Sequence, residues 1–214
     1  MSIIEKFAVH VSKNVDDSVF DKIILNYKTI KGRDITQEQA ISIFIYKLHT
    51  NISFCISVIL VFLISCVINT TIEAALIYLS FLALRKTTGG PHLNNEYMCL
   101  IVTTSIISIS GYIAKFLPLN IVAINISFFI LIIVVTIIGY IDHKSNRLDQ
   151  SQKSLLKKYA LSIISFLWAV SAWKINATVS ICFMISAIIQ EINLVIGKIL
   201  AIREENFVGR QDSV

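Results

Sequence analysis

"IVAINISFFILIIVVTIIGYI", residues Ile121 to Ile141, runs for 21 residues without one charged side chain. A helix rises about 1.5 Å per residue, so about 20 apolar residues cross the ~30 Å hydrocarbon core of a bilayer. A helix also satisfies its own backbone hydrogen bonds where no water is present. The stretch therefore reads as a transmembrane helix. Its flanks differ sharply. The upstream connection, Pro118 to Asn120, carries no charge, whereas residues 142–158 downstream carry five basic residues.

Working outward, five more apolar runs appear, roughly 52–69, 71–84, 98–117, 159–174 and 176–196, which makes six in all. The second and fifth are short for a span; they can extend into flanking polar residues or thin the bilayer locally. The composition agrees, with 55% hydrophobic and 15% charged residues and a mean hydropathy of +0.73. Soluble domains carry about 25% charged residues. The expected fold class is an all-α polytopic membrane protein with about six transmembrane helices.

Basic residues set orientation in such proteins. With the N-terminus inside, the segments 1–51, 85–97, 142–158 and 197–214 hold 17 of the 19 Lys and Arg residues. Lys115 and Lys174 fall near outer helix ends, where a lysine can snorkel to the interface. Both termini and all substantial loops are then expected in the cytoplasm, with tight outer turns near Thr70, Pro118–Asn120 and Ile175. The net charge of +5 sits at span ends, which argues against a nucleic-acid partner.

The first 51 residues lack the compact apolar core of a cleavable signal peptide, so the first span is expected to direct insertion. Ile3, Ile4, Phe7, Val11, Val15, Val19, Ile23 and Ile24 recur at helical spacing among Lys and Asp residues. Gly32 breaks this pattern. Thr36–Gln39 ("TQEQ") then reads as a capping box before Ala40, Ile43, Phe44 and Leu48. Two amphipathic cytoplasmic helices are expected, lying on the inner leaflet or packing on the bundle. The whole chain, 1–214, reads as a single integral membrane domain: 1–51 amphipathic helices, 52–196 the bundle, 197–214 a cytoplasmic tail.

One inner loop is unlike the others. "RKTTGGPHLNNEYMC", Arg85 to Cys99, holds two of the seven glycines, one of the two prolines, one of the four histidines and one of the four cysteines. Gly89 and Gly90 open backbone conformations closed to other residues, and Pro91 commonly begins a helix. Cysteine is a strong nucleophile once its thiol has lost a proton, and histidine is a natural base for that step. On one straight helix His92 and Cys99 would lie about 10.5 Å apart, which is long for direct contact. A helix starting later is expected, with Asn94 or Asn95 as N-cap, the GGPH segment folded back, and Cys99 near the helix N-terminus, where dipole and free amides favour a thiolate and an oxyanion.

By itself a His and a Cys in one loop carries either catalysis or an ordinary polar loop. The arrangement Arg85, Gly89-Gly90, Pro91, His92, with Cys99 seven positions after the histidine, resembles the accessory gene regulator B (AgrB) family of membrane cysteine endopeptidases. The similarity extends to chain length, the amphipathic N-terminus and the loop following an early hairpin. It implies catalytic His92 and Cys99 and an AgrD-like propeptide substrate. It also implies release of the C-terminal tail through a thioester acyl-enzyme, and cyclisation to a thiolactone or lactone autoinducing peptide for quorum sensing. Arg85, Lys86, Gly89, Gly90, Asn94, Asn95 and Glu96 are supporting or substrate-binding candidates. The simpler reading of Lys86 is a positive-inside anchor, and of the two asparagines and Glu96, caps. Some family members carry a dense lysine run in the later inner loop. Here Lys144, Arg147, Lys153, Lys157 and Lys158 are dispersed.

No cofactor and no metal are expected. Cys55, Cys66 and Cys182 lie in apolar runs and read as small hydrophobes. Thr87 and Thr88 read as loop residues, and His10, His49 and His143 as interfacial or solvated. Glu191, inside the last span, is a functional candidate or the partner of Lys198 two turns on. A homodimer is compatible with these features, and the bilayer is the other partner. The alternative function is a small membrane transporter or peptide exporter, against which the spans offer few ionisable groups. A signalling scaffold would leave the GGPH–Cys spacing unexplained.

Overall fold

The computed structural model describes residues 3–31, 34–90, 96–118, 120–141, 149–173 and 176–211, without the side chains of 3, 30–31, 96–97 and 204–211. The described residues form eight helices: α1 Ile3–Ser12, α2 Asp17–Lys31, α3 Gln37–Val67, α4 Thr71–Thr88, α5 Glu96–Phe116, α6 Ile121–Ile138, α7 Gln150–Ala172 and α8 Ala177–Gln211. The chain divides into two compact units, Met1–Leu60 and Val61–Val214, with the boundary inside α3.

In the first unit the amphipathic segment breaks where apolar periodicity alone runs on. Ser12 Oγ donates to the Val9 carbonyl at 2.8 Å, Asn14 Nδ2 donates to that of His10 at 3.2 Å, and the Asp16 carboxylate accepts from the Ser18 N–H at 3.2 Å. These short polar side chains end α1 and cap α2. The capping box forms as expected. The Thr36 N–H donates to Gln39 Oε1 at 3.0 Å, and the Gln39 N–H donates to Thr36 Oγ1 at 3.3 Å. The helix it starts does not stop at Leu48. No Gly or Pro lies between Gln37 and Val67, so the expected second amphipathic helix and the first span are one helix of 31 residues. Phe20 meets Phe44 edge to face at 5.7 Å, joining α2 to α3.

In the second unit α4 and α8 are central. α4 packs on α5, α7 and α8, while α8 also meets α5, α6 and α7, and α6 packs on α7. One apolar cluster joins Ile77, Tyr78 and Phe81 of α4 to Ile107 of α5 and Ile181 of α8. The other joins Phe128 and Leu131 of α6, Ile164 of α7, and Met184 and Leu194 of α8. Small residues let backbones close up. A Cβ on Gly111 would lie 3.1–3.2 Å from Ala74, the close-contact pattern of membrane helix pairs.

The connections follow their local chemistry. Asn69, at φ 54°, sits past the end of α3 while the Thr70 N–H donates to the Ser65 carbonyl at 2.9 Å, a Schellman ending. Lys115 donates to the Asn69 carbonyl at 3.0 Å, which ties α5 to that turn. Asn120 caps α6, accepting from the Val122 and Ala123 N–H groups at 3.0 and 3.2 Å.

Of the six expected spans, those in α3, α5, α6, α7 and α8 are long and apolar enough to cross a membrane. α7 reaches this length by starting at Gln150, so Lys153, Lys157 and Lys158 ride on its first turns, and Lys157 donates to the Thr136 carbonyl at 2.7 Å. α8 likewise runs on past residue 196. α4 is the exception. Its 18 residues include Glu73, Arg85 and Lys86, yet it buries eight of them. Large apolar side chains on the outer faces of the spans, such as Ile109, Phe129, Ile137 and Phe166, are exposed, as in a protein whose surroundings are lipid. The chain is a multi-pass membrane protein.

Candidate active site

The last turn of α4 leads into the Gly-Gly pair. Thr87 and Thr88, expected in a loop, are helical and buried. The Thr87 hydroxyl donates to the Leu84 carbonyl at 2.9 Å, and the Thr88 hydroxyl does the same at 2.9 Å. This back-bonding lets threonine finish a helix inside an apolar bundle. Arg85 is half-buried, its guanidinium carbon 5.7 Å from the centre of the Phe81 ring, within cation–π range. Lys86 is exposed, consistent with an anchor.

Gly89 ends the helix. It lies at φ 72°, ψ −153°, and its N–H donates to the Arg85 carbonyl. That conformation is essentially closed to residues with a Cβ. Gly90 follows at φ 150°. Both are also crowded. Gly89 forms a parallel bridge with Ile141, whose N–H donates to the Thr88 carbonyl at 3.0 Å. A Cβ on Gly89 would run into the Ile141 carbonyl oxygen, and one on Gly90 would run into the Asn193 side-chain amide. The glycines thus permit a close approach from two sides as well as a turn. The α4–α5 and α6–α7 connections meet here, at one end of the bundle.

α8 supplies the other wall. Gln190 is fully buried in the span. Its Nε2 donates to Thr88 Oγ1 at 2.6 Å and to the Gly89 carbonyl at 3.3 Å, while its Oε1 accepts from Asn193 Nδ2 at 3.4 Å. Neither amide was among the residues singled out from sequence. The available signal was two amides three positions apart inside an otherwise apolar run. Glu191, which was singled out, has Oε1 buried without a hydrogen-bond partner among the described residues and forms no ion pair with Lys198.

α5 is described from Glu96, which places Cys99 in its first described turn. The thiol is free and half-exposed, while Cys182 is buried and Cys55 and Cys66 are exposed. His92, Asn94 and Asn95 lie outside the described residues, as does the Glu96 side chain. So do the expected His92–Cys99 contact and the asparagine cap.

No curated protein and no solved structure matches the chain. The family model of accessory gene regulator B matches residues 17–194, from the start of α2 through the Gly-Gly turn and Cys99 into α8. With most of its length matched, the chain belongs to the AgrB family, multi-pass membrane peptidases that process an AgrD propeptide in the production of autoinducing peptides.

Proposed function

We propose that the chain is a cysteine endopeptidase whose nucleophile is Cys99 and whose base is His92, acting on an AgrD-like propeptide at the cytoplasmic end of the bundle. The carrying observation is the half-exposed free thiol of Cys99 in the first described turn of α5, in a family member whose Gly89-Gly90 turn leads into His92. The reaction runs in four steps. His92 takes the Cys99 thiol proton. The thiolate adds to the carbonyl that ends the signal sequence, with amides of the α5 N-terminus suited to the oxyanion. The peptide bond breaks, the tail's amine leaves with the proton held by His92, and the signal sequence remains as a thioester on Cys99. A cysteine thiol or serine hydroxyl within the peptide then gives its proton to His92 and attacks the thioester. A thiolactone or lactone ring closes and the Cys99 thiolate is released.

The membrane setting suits this chemistry. A thioester passed to an internal thiol loses little free energy, whereas hydrolysis would end the reaction. The site must hold the internal nucleophile close and keep water out. Arg85 and Lys86 suit an acidic tail, and Asn94, Asn95 and Glu96 are placed in sequence to orient His92 or cap α5.

The test is co-expression with an AgrD-like propeptide followed by mass spectrometry of both fragments. Wild-type chain should release the tail, and a peptide lacking its internal nucleophile should leave an acyl adduct on Cys99. Tail release by Cys99→Ala would refute the reading.

A further inference from the structure

We propose that Gln190 and Asn193 of α8 are positioning residues, an amide latch that sets where the Gly89-Gly90 turn delivers His92. The proposal rests on the peptidase reading above and adds to it residues that the His–Cys motif does not contain.

The chemistry of the position is the first argument. A carboxamide buried in a membrane span costs several kcal/mol unless its donors and acceptor are met, and a leucine or methionine of similar size would fill the space without that demand. Gln190 is nonetheless fully buried, and its bonds go to one place. Nε2 donates to the Thr88 hydroxyl and the Gly89 carbonyl, and the Thr88 hydroxyl donates in turn to the Leu84 carbonyl at 2.9 Å. Oε1 is held by Asn193. Buried polar groups satisfied in this way specify one arrangement more than they stabilise it.

The second argument is steric. The Asn193 amide occupies the space that a side chain on Gly90 would need, so α8 limits the turn on one side while the Ile141 main chain limits it on the other. Gly90 is two residues before His92. A shift of the turn would change the point from which the chain continues toward His92, and a misplacement of about 1 Å at a catalytic group can cost about 100-fold in rate.

The experiment uses the full chain in lipid nanodiscs with an AgrD-like propeptide. Gln190→Leu removes the amide at similar volume, and Thr88→Val removes its acceptor. Each should lower kcat for tail release about 10–100-fold with KM within about twofold, and each should slow Cys99 alkylation by iodoacetamide at neutral pH. The double variant should be no slower than the worse single one, because both remove the same latch. Ser180→Ala, which removes the buried bond from Ser180 Oγ to the Ser171 carbonyl, controls for general loosening and should leave kcat within about twofold. Should Gln190→Leu fail to fold, Thr88→Val decides alone. Wild-type kcat in Thr88→Val, or an equal loss in Ser180→Ala, overturns the latch. Tail release by Cys99→Ala overturns the peptidase reading instead, so the two failures are distinct.

Discussion

Gly89 and Gly139 form a matched pair that separates two reasons for glycine. Each ends a helix, Gly89 at φ 72°, ψ −153° after α4 and Gly139 at φ 70°, ψ −145° after α6, and each N–H returns to the carbonyl four residues back. Alanine at either site meets the same backbone penalty, about 1–3 kcal/mol. Their surroundings differ. A Cβ on Gly139 meets nothing within 4 Å, while one on Gly89 runs into the Ile141 carbonyl oxygen. That oxygen is backbone and cannot rotate away. Gly89→Ala must therefore push Ile141 off, breaking its 3.0 Å bond to the Thr88 carbonyl, about 0.5–1.5 kcal/mol. Ile141 is only 9% exposed, and uncovering part of it adds to a total excess of about 1–3 kcal/mol. Unfolding by SDS titration, followed by the fluorescence of Trp168 and Trp173 on α7 and its cap, would give both costs in one detergent. The expected result is that Gly89→Ala destabilises more than Gly139→Ala and also slows tail release, while Gly139→Ala keeps a near-normal rate. Equal destabilisation with equal activity would refute the close approach of the α4–α5 and α6–α7 connections at Gly89 and Ile141.

Two further perturbations probe the scaffold. Gly111→Val should weaken the α4–α5 contact by about 1–3 kcal/mol through overpacking against Ala74, read as a lower SDS midpoint; an unchanged midpoint would mean that these helices do not meet at Gly111. Asn120→Ala should cost about 1 kcal/mol by removing the α6 cap and leave tail release within about twofold, since that cap lies at the opposite end of α6 from the Gly-Gly turn.

What was legible in the sequence was what depends on near neighbours. The run from Ile121 has no charge to end it, and α6 begins at that residue. The capping box at Thr36 and Gln39 is a contact three residues long. Other local signals point the wrong way. Two threonines before Gly89 look like a loop, but their hydroxyls bond back into the helix and the glycine alone stops it. Residues 48–52 look like a junction between polar and apolar segments, yet nothing there breaks a helix. The α1–α2 break was hidden because apolar spacing continues across Asp16 while the cap at Asp16 acts on the backbone. The latch was out of reach for a different reason. Gln190 is 102 residues from Thr88, and no local pattern names the partner of a buried amide.

α4 shows why apolarity is a poor guide to where the chemistry sits. A helix needs an apolar surface wherever it faces lipid, and α3, α5, α6, α7 and α8 are each long and apolar enough overall to cross a membrane. α4 has neighbours on several sides, so protein replaces lipid and its sequence is freed to carry Ser80 and, at its C-terminal end, Arg85, Lys86, Thr87 and Thr88. The same burial brings Thr88 within reach of Gln190 on α8 and of the Ile141 main chain. A turn held from two sides can be polar, glycine-rich and still defined in position, which a loop beside lipid cannot be. The helix with the weakest transmembrane signature is therefore the one that leads into the Gly89-Gly90 turn, after which the proposed base follows in sequence. In this family member, the place to seek residues that tune the reaction is the face of α8 that looks at the end of α4, because a change there moves the turn without touching the His–Cys motif itself.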